Sequence, residues 1–340
     1  MTEIFIEQYM NYEVNHKNIL EHSSDPETEI QLFKSVLTKE LTSDLAQLYT
    51  DSLISYLGGL DQPIDEFIQN GSIVHKYIGE NLYGPLICGY VIWLEQKIAY
   101  IYDQGPVYFA LRDGAPFYTA AQVLWKNKNL QPAGVYINRP ILGIEDEIAQ
   151  EKGRVDNRVY QYLAAYGIHK DTKIILSDSG AWGTVVKEIK TNLLPNTSLY
   201  PLFWYSHNPY IDGYTNELLE KYGLDPAYGE ILNDSLECLF PQTVERPISF
   251  MIQNGTIDVA LTPSCRLSVV WGKSALSGVS QAASNFDTTE IELESALRKL
   301  IFLSEKAKQA KIWTGVLPTH SPTWSKGDEF IQLWPASLLP

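Results

Sequence analysis

The sequence predicts an α/β fold with a mostly parallel sheet. Short apolar runs at residues 107–111, 135–138, 174–176 and 199–205 are bounded by turn residues, which is typical of buried strands. Segments with apolar residues at helical spacing separate these runs. Strands that alternate with helices pair in parallel, because each helical crossover returns the chain to the same edge of the sheet.

Composition and charge narrow the function classes. The chain has 340 residues, of which 45% are hydrophobic and 20% are charged, so it can bury a sizeable core. Its formal net charge of -15 argues against a surface that binds nucleic acid, because such a surface needs a basic face. A local basic pocket for a phosphorylated small molecule is compatible with this charge.

The cysteines and the apolar runs indicate the compartment. Cys88, Cys238 and Cys265 lie far apart without Cys-x-x-Cys spacing, which favours a reducing environment and gives no zinc signature. The first residues lack the basic segment of a signal peptide, and the longest apolar run, residues 85–94, is too short to cross a bilayer. We expect a cytoplasmic protein that does not contact membranes.

Three regions are predicted along the chain. Residues 1–80 are expected to form a helical N-terminal addition, residues 81–265 the α/β core, and residues 266–340 a C-terminal helical extension packed on the core. The N-terminal helices begin with a start signal at Asp25-Pro26, and residues 289–311 carry a long amphipathic pattern.

The core contains further helices and one hairpin. An apolar helix is predicted over residues 83–94, with Pro85 near its first turn. The other predicted core helices cover residues 117–125, 159–166 and 210–222. Asn254-Gly255 separates apolar runs at residues 248–252 and 257–261 and predicts a hairpin. The polar span of residues 143–158 fits either a mobile lid or a solvated loop.

The stretch from Asp178 to Thr184 carries the strongest local signal. It follows the apolar run at residues 174–176 and precedes a helical pattern, so it predicts a turn between a strand and a helix. Gly180 and Gly183 would let the backbone approach a ligand, and the first amides of the helix would attract an anion. Ser179 and Thr184 are candidate ligand-binding residues in the same turn. Asp178 could hold a sugar hydroxyl or Mg²⁺, or it could merely cap the helix.

Polar residues also follow the other predicted strands. Arg112, Asp113 and Gly114 follow the run at 107–111, and Asn138 and Arg139 end the run at 135–138. Because parallel strands carry ligands at their carboxyl ends, these residues and the stretch 178–184 predict one site for an anionic ligand. Either arginine could instead pair with a neighbouring acid for structural reasons alone.

His207 is the one histidine that follows a predicted strand in the same way. It is therefore the only histidine candidate for acid–base chemistry.

Several of these motifs, in this order, resemble a poorly characterised bacterial family. It is the α/β region attached to predicted haloacid-dehalogenase-type hydrolases of surface-polysaccharide gene neighbourhoods, and the resemblance covers about residues 80–245. The motifs are Gly84-Pro85, Arg112-Asp113-Gly114, Tyr136 to Arg139, Leu176 to Thr184 and Leu236 to Pro241. The chain lacks the Asp-x-Asp-x-Thr/Val signature of the hydrolase half, and Asn138 stands where the family has serine, so the resemblance implies a site rather than a reaction.

A second, weaker resemblance is to type I phosphoribosyltransferases. In that family, successive strand ends supply a pyrophosphate loop, a basic residue and an acidic Gly/Thr loop for the ribose phosphate. Arg112 to Gly114, Arg139, and Asp178 to Thr184 follow the same order, although Ser179 stands where a second acid is usual. The resemblance implies a Rossmann-like or phosphoribosyltransferase-like subtype of the α/β fold.

Three functional hypotheses follow. The first is an enzyme that transfers or hydrolyses groups of a phosphorylated sugar or nucleotide with the help of Mg²⁺. In it Arg112 and Arg139 neutralise phosphate charge, and Asp113, Asp178 and His207 take part in catalysis. The second is a binding module for a nucleotide or phosphosugar without chemistry. The third is a scaffold that forms a homo-oligomer through the helices of residues 1–80 and 289–311.

Overall fold

A computed structural model describes most of the chain from residue 75 to residue 309. The described residues are 69, 72–73, 75–101, 105–111, 113–126, 129–138, 141–142, 157–169, 172–240, 247–253, 256–261, 266–287 and 290–309. Several predictions lie outside them: Arg112, Arg139, the turn at Asn254-Gly255, residues 143–156 of the polar span, and nearly all of the N-terminal helical region.

A parallel sheet of five strands forms the centre of the fold. Its strands are β1 (Gly105–Leu111), β2 (Leu130–Tyr136), β3 (Lys173–Ala181), β4 (Ser198–Ser206) and β5 (Asp212–Gly213). They pair in the order β2-β1-β3-β4-β5, and every pair is parallel. This confirms the predicted α/β fold, while the Rossmann-like and phosphoribosyltransferase-like subtypes stay predictions.

Helices precede, separate and follow the strands along the chain. They are α1 (Gly84–Ala99), α2 (Ala115–Leu124), α3 (Asn157–Ala165), α4 (Thr184–Glu188), α5 (Tyr214–Lys221) and α6 (Tyr228–Leu239). A hairpin of β6 (Pro247–Gln253) and β7 (Thr256–Leu261) comes next, then α7 (Arg266–Ser284) and α8 (Glu290–Gln309). The predicted hairpin strands and the long helix near residues 289–311 are thereby confirmed.

Helices cover both faces of the sheet, as the apolar sequence of its strands requires. On one face Tyr108, Leu176 and Phe203 share a buried cluster with residues of α3, α4 and the hairpin. On the other face the rings of Phe109 and Trp204 contact aromatic side chains of α1, α2 and α5.

A buried hydroxyl pair joins α1 to the middle of the sheet. Tyr90 Oη donates a hydrogen bond to the Leu202 carbonyl at 2.8 Å and lies 2.9 Å from Ser177 Oγ. Since the single phenolic hydrogen is used on Leu202, Ser177 is the donor to Tyr90. The pair satisfies polar atoms of β3 and β4 that are shielded from water.

Helical residues precede α1, so the predicted helix start near Pro85 is wrong. Residues 75–78 are helical, and a π-helical turn, Gly79–Tyr83, leads directly into α1. Pro85 has no N–H and its ring crowds the carbonyl of Asn81, so a wider turn just before it is physically reasonable.

The chain forms two compact units. Among the described residues, one unit takes those within 1–89, 230–243 and 264–340, and the other takes those within 90–229 and 244–263. The second unit contains the five-stranded sheet and the hairpin. The sequence-based division at residues 80 and 265 stays a prediction.

Glycines set the helix packing in the first unit. A Cβ atom at Gly278 of α7 would lie 2.1 Å from the Lys76 carbonyl oxygen, and one at Gly79 would lie 2.1 Å from the Ala275 carbonyl oxygen. A Cβ atom at Gly84 would meet the Ala282 side chain at 2.4 Å. The backbones of α7 and of the helix that leads into α1 therefore approach too closely for larger residues at these positions.

None of the helices described is long and apolar enough to cross a membrane.

Candidate functional site

The strand order creates one position where a crevice is expected. After β1 the chain adds β2 on one side and then returns to place β3 on the other side of β1. Helices leave β1 and β3 toward opposite faces at such a switch point, and ligands of open α/β sheets bind there, outside the carboxyl ends of the strands. We call the space between the ends of β1 and β3 the switch crevice.

The pairing of the strands opens this crevice further. β1 and β3 pair at only three positions, the last of which joins Phe109 to Ser177. β1 stays paired with β2 up to Leu111, and β3 stays paired with β4 up to Ala181. Within the described strands, β1 and β3 thus separate two or more residues before their carboxyl ends.

Asp113 and Gly114 form the β1 side of the switch crevice. Gly114 is the N-cap residue of α2, and its amide donates a hydrogen bond to the Ala110 carbonyl at 2.8 Å. A Cβ atom at Gly114 would lie 2.6 Å from that carbonyl oxygen, so the tight turn excludes a side chain. The N-cap residue therefore supplies no side-chain cap to the first turn of α2.

Asp178 and Ser179 lie inside β3, which corrects the prediction that a turn begins at Asp178. Asp178 pairs with Phe203 of β4, and the strand continues for three more residues to Ala181. The amide of Ser179 donates to Asp178 Oδ1 at 2.8 Å, beyond the last pair between β1 and β3. Asp178 is thus a half-buried carboxylate at the opening of the crevice, and the N-cap position of α4 belongs to Gly183.

Gly180 belongs to the sheet rather than to a ligand-binding turn. It pairs with Tyr205 of β4 and has a φ of 106°. A Cβ atom there would lie 2.1 Å from the Tyr205 carbonyl oxygen. Glycine is required at this position by the backbone of the neighbouring strand and by the positive φ.

Trp182 and Gly183 form the turn between β3 and α4. Gly183 is the N-cap residue of α4, has a φ of 68°, and is buried so that a Cβ atom would meet Ile211 at 2.8 Å. Thr184 is the first residue of α4 and is exposed. The helix continues as a π-helical turn, Ile189–Leu193. Both helices that follow the strands of the switch crevice thus begin after a glycine N-cap.

His207 follows β4 and belongs to an aromatic cluster at the same edge. Its Nδ1 lies 3.1 Å from Tyr205 Oη, and its ring stacks on Trp182 with a centroid distance of 4.4 Å and an interplanar angle of 26°. Tyr205 contacts the His207 ring edge-on at 4.8 Å. The imidazole is therefore held in one orientation.

Asn138 shapes the turn after β2. Its Oδ1 accepts a hydrogen bond from the Ile141 amide and its carbonyl accepts one from the Leu142 amide, both at 3.1 Å. β2 ends at Tyr136, two residues earlier than predicted. Asn138 therefore follows β2, the strand next to β1, and its hydrogen bonds stabilise the turn that begins there.

The negative charge of Asp178 acts on the buried phenol of Tyr90. Burial raises the pKa of Tyr90 well above its usual value, the Ser177 hydrogen bond lowers it, and the negative charge of Asp178 raises it again. The carboxylate at the crevice is thus within electrostatic range of the buried phenol. Among the side chains described, no three of His, Cys, Asp and Glu lie together as a metal site.

Trp182 is the residue that sequence reasoning missed. It lies in the motif between Asp178 and Thr184, where the sequence predicts ligand contacts only for the glycines, the serine, the threonine and the acid. The side chain is 62% exposed, although its ring stacks on His207. A tryptophan between Gly180 and Gly183 is unusual for a tight turn, and this is the feature of the sequence that could have drawn attention to it.

No model of a known protein family matches the chain. No curated protein matches it significantly either. The two family resemblances drawn from the motifs stay predictions.

Proposed function

We propose that the protein binds a phosphorylated sugar or nucleotide in the switch crevice and acts on it as a phosphoribosyltransferase-like transferase or as a hydrolase. The observation that supports this most is the pair of glycine N-caps, Gly114 and Gly183, which begin the helices that follow the two strands flanking the crevice. First-turn amides that no N-cap side chain occupies attract phosphate oxygens.

The carboxylates near the crevice fit a role for Mg²⁺ in this proposal. Mg²⁺ in phosphate sites usually takes one or two protein carboxylates and fills its shell with water and phosphate oxygens. Asp178 in β3 and Asp113 just after β1 are acids among the described residues that could take this role. Arg112 and Arg139, assigned from the sequence alone, would neutralise charge that develops on the phosphate.

His207 is the proposed acid–base residue. Its Nδ1 lies 3.1 Å from Tyr205 Oη, which orients the ring, and an imidazole can both give and take a proton. A fixed ring orientation suits a residue that has to reach a proton in one geometry.

The first test is binding and turnover with the purified full chain. The ligands would be phosphoribosyl pyrophosphate, nucleoside mono- and diphosphates, sugar nucleotides and pyrophosphate, each with and without Mg²⁺. A ligand at a hundred times its dissociation constant adds about 2.7 kcal/mol to the free energy of unfolding and raises the melting temperature. No shift with any of them would overturn the phosphate-site proposal.

Substitutions of the two aspartates test whether the ligand binds in the switch crevice. We expect Asp178→Asn and Asp113→Asn to weaken ligand binding ten-fold or more, or to abolish turnover, without loss of folded protein. Asp287→Asn is the matched control, because Asp287 is an exposed acid after α7. Equal effects of all three substitutions would contradict the assignment.

A non-catalytic binding module is the second candidate, and one observation favours it. The serine hydroxyls of β3, Ser177 and Ser179, are both buried, with exposures of 0% and 2%, and so are poorly placed as nucleophiles. Phosphorus NMR of the ligand after long incubation with protein and Mg²⁺ separates the two functions. Intact ligand with persistent binding would support the module, and new phosphorus signals would support the enzyme.

A further inference from the structure

Trp182 presents a large aromatic surface at the edge that carries the proposed site. It follows the last residue of β3 and precedes the N-cap glycine of α4. Its side chain is 62% exposed, whereas Trp93, Trp125 and Trp204 in the same unit are buried. Trp182 is thus an exposed tryptophan at the edge where we place the ligand, and its ring offers a surface on which a flat ligand can stack.

The ring is held in place by its neighbours. The His207 imidazole covers one face of the indole at 4.4 Å, with planes 26° apart, so the other face and the ring edge account for the exposure. His207 is in turn fixed by Tyr205, through the 3.1 Å contact to Nδ1 and the edge-on ring contact. The backbone after Trp182 is fixed by Gly183, which is buried against Ile211. Such a preorganised surface loses little side-chain entropy when a ligand binds.

We propose that the ligand is a nucleotide and that its base stacks on the exposed face of Trp182. This inference rests on the proposed function and narrows its ligand from phosphorylated sugars and nucleotides to nucleotides. A flat base continues the near-parallel stack that the indole and imidazole have begun, and offset stacking of aromatic rings is favourable beyond the area that it buries. The Gly183 and Thr184 amides, to which the proposed function assigns the phosphate, lie one and two residues further along the chain.

The test compares nucleotides with ligands that lack either the base or the phosphate. We would titrate the full chain calorimetrically with AMP, GMP, CMP and UMP, with ribose 5-phosphate, which lacks the base, and with adenosine, which lacks the phosphate. The variants are Trp182→Ala and Trp182→Phe. Tyr100→Ala is the control, because it removes an aromatic ring that is 92% exposed and precedes the amino end of β1.

Loss of a stacked base typically weakens binding by about 5- to 150-fold. We therefore expect Trp182→Ala to weaken the best nucleotide at least about five-fold and to leave ribose 5-phosphate unchanged. Trp182→Phe keeps a π surface and should bind nearly as the parent does, and Tyr100→Ala should bind as the parent does. Quenching of tryptophan fluorescence by the nucleotide should shrink in Trp182→Phe.

Other outcomes separate this inference from the proposed function. If ribose 5-phosphate binds as tightly as every nucleotide, and Trp182→Ala changes neither, the stacking inference is overturned while the phosphate site stands. If adenosine binds in a Trp182-dependent way and no phosphate compound binds better, the base platform stands and the phosphate site fails. If no compound binds, both are overturned.

Discussion

Gly180 shows how far a single residue is constrained by the strand beside it. Its positive φ and the 2.1 Å gap from a Cβ atom to the Tyr205 carbonyl exclude every side chain. Gly180 lies three residues beyond the last pair between β1 and β3, where β3 is still paired with β4. The missing side chain thus lets β3 and β4 stay paired beside the switch crevice.

We expect Gly180→Ala to lower the free energy of unfolding by about 2 kcal/mol or more, because strained backbone alone costs 1–3 kcal/mol and a backbone clash adds to it. Urea titration of the variant and the parent measures the difference. Gly223→Ala is a matched control, because Gly223 also has a positive φ, of 62°, but a Cβ atom there would meet nothing within 4 Å. Equal losses in the two variants would show that the close approach to Tyr205 carries no cost.

Cys88 illustrates how burial controls a thiol. The side chain is fully buried in α1, and burial raises the pKa of the thiol to about 12. The unfolded chain ionises this thiol near its usual value of 9.0, whereas the folded chain holds it neutral. The resulting contribution to stability is complete below about pH 9 and is lost as the pH rises toward 12.

Burial of Cys88 can be tested in a variant with Cys238→Ser and Cys265→Ser, which leaves Cys88 as its only thiol. We expect it to resist a disulfide reagent at pH 8 when folded and to react fully in denaturant, since the thiolate is the nucleophile. The reaction is followed by absorbance. Rapid labelling of the folded variant would contradict the burial of Cys88.

At the scale of elements, glycines decide how closely two helices approach. The π-helical turn before α1 places Gly79 against Ala275 of α7, and Gly278 of α7 against the carbonyl of Lys76. Close approach of two backbones replaces the interlocking of large side chains in this part of the first unit.

We expect Gly278→Ala to destabilise the protein by about 1–3 kcal/mol, because the methyl group overpacks a backbone contact. This outcome reverses the usual helix propensity, by which alanine is favoured over glycine by about 1 kcal/mol. Thermal and urea unfolding would measure the change. Ser277→Ala on the exposed side of α7 is the control and should leave stability nearly unchanged. A stabilised Gly278→Ala variant would show that α7 does not pack this closely.

At the scale of the molecule, the net charge of the chain and the carboxyl edge of the sheet both bear on the size of the ligand. A net charge of -15 disfavours long anionic partners such as nucleic acids, whose binding depends on many basic contacts. A crevice with two glycine N-caps can still attract one phosphate group, because backbone amides act over short range. The proposed ligand is small for this reason.

The sequence by itself determined the elements with strong local patterns. The alternation of apolar runs and helical spacing predicted β1, β4, the hairpin strands and α8 to within a few residues, because periodicity depends only on neighbours along the chain. It also placed Asp113, Gly114, Gly183, Thr184 and His207 after strands, which the parallel sheet brings to one edge.

Only the tertiary structure decided the strand order, the extent of β3 and the partner of Trp182. Asp178 to Ala181 resemble a turn in sequence, but pairing with β4 supplies the hydrogen bonds that hold them in a strand. His207 stacks on Trp182 because β3 and β4 are neighbours in the sheet, although the two residues are far apart along the chain. Contacts between distant residues depend on how strands pair, and no local pattern contains that information.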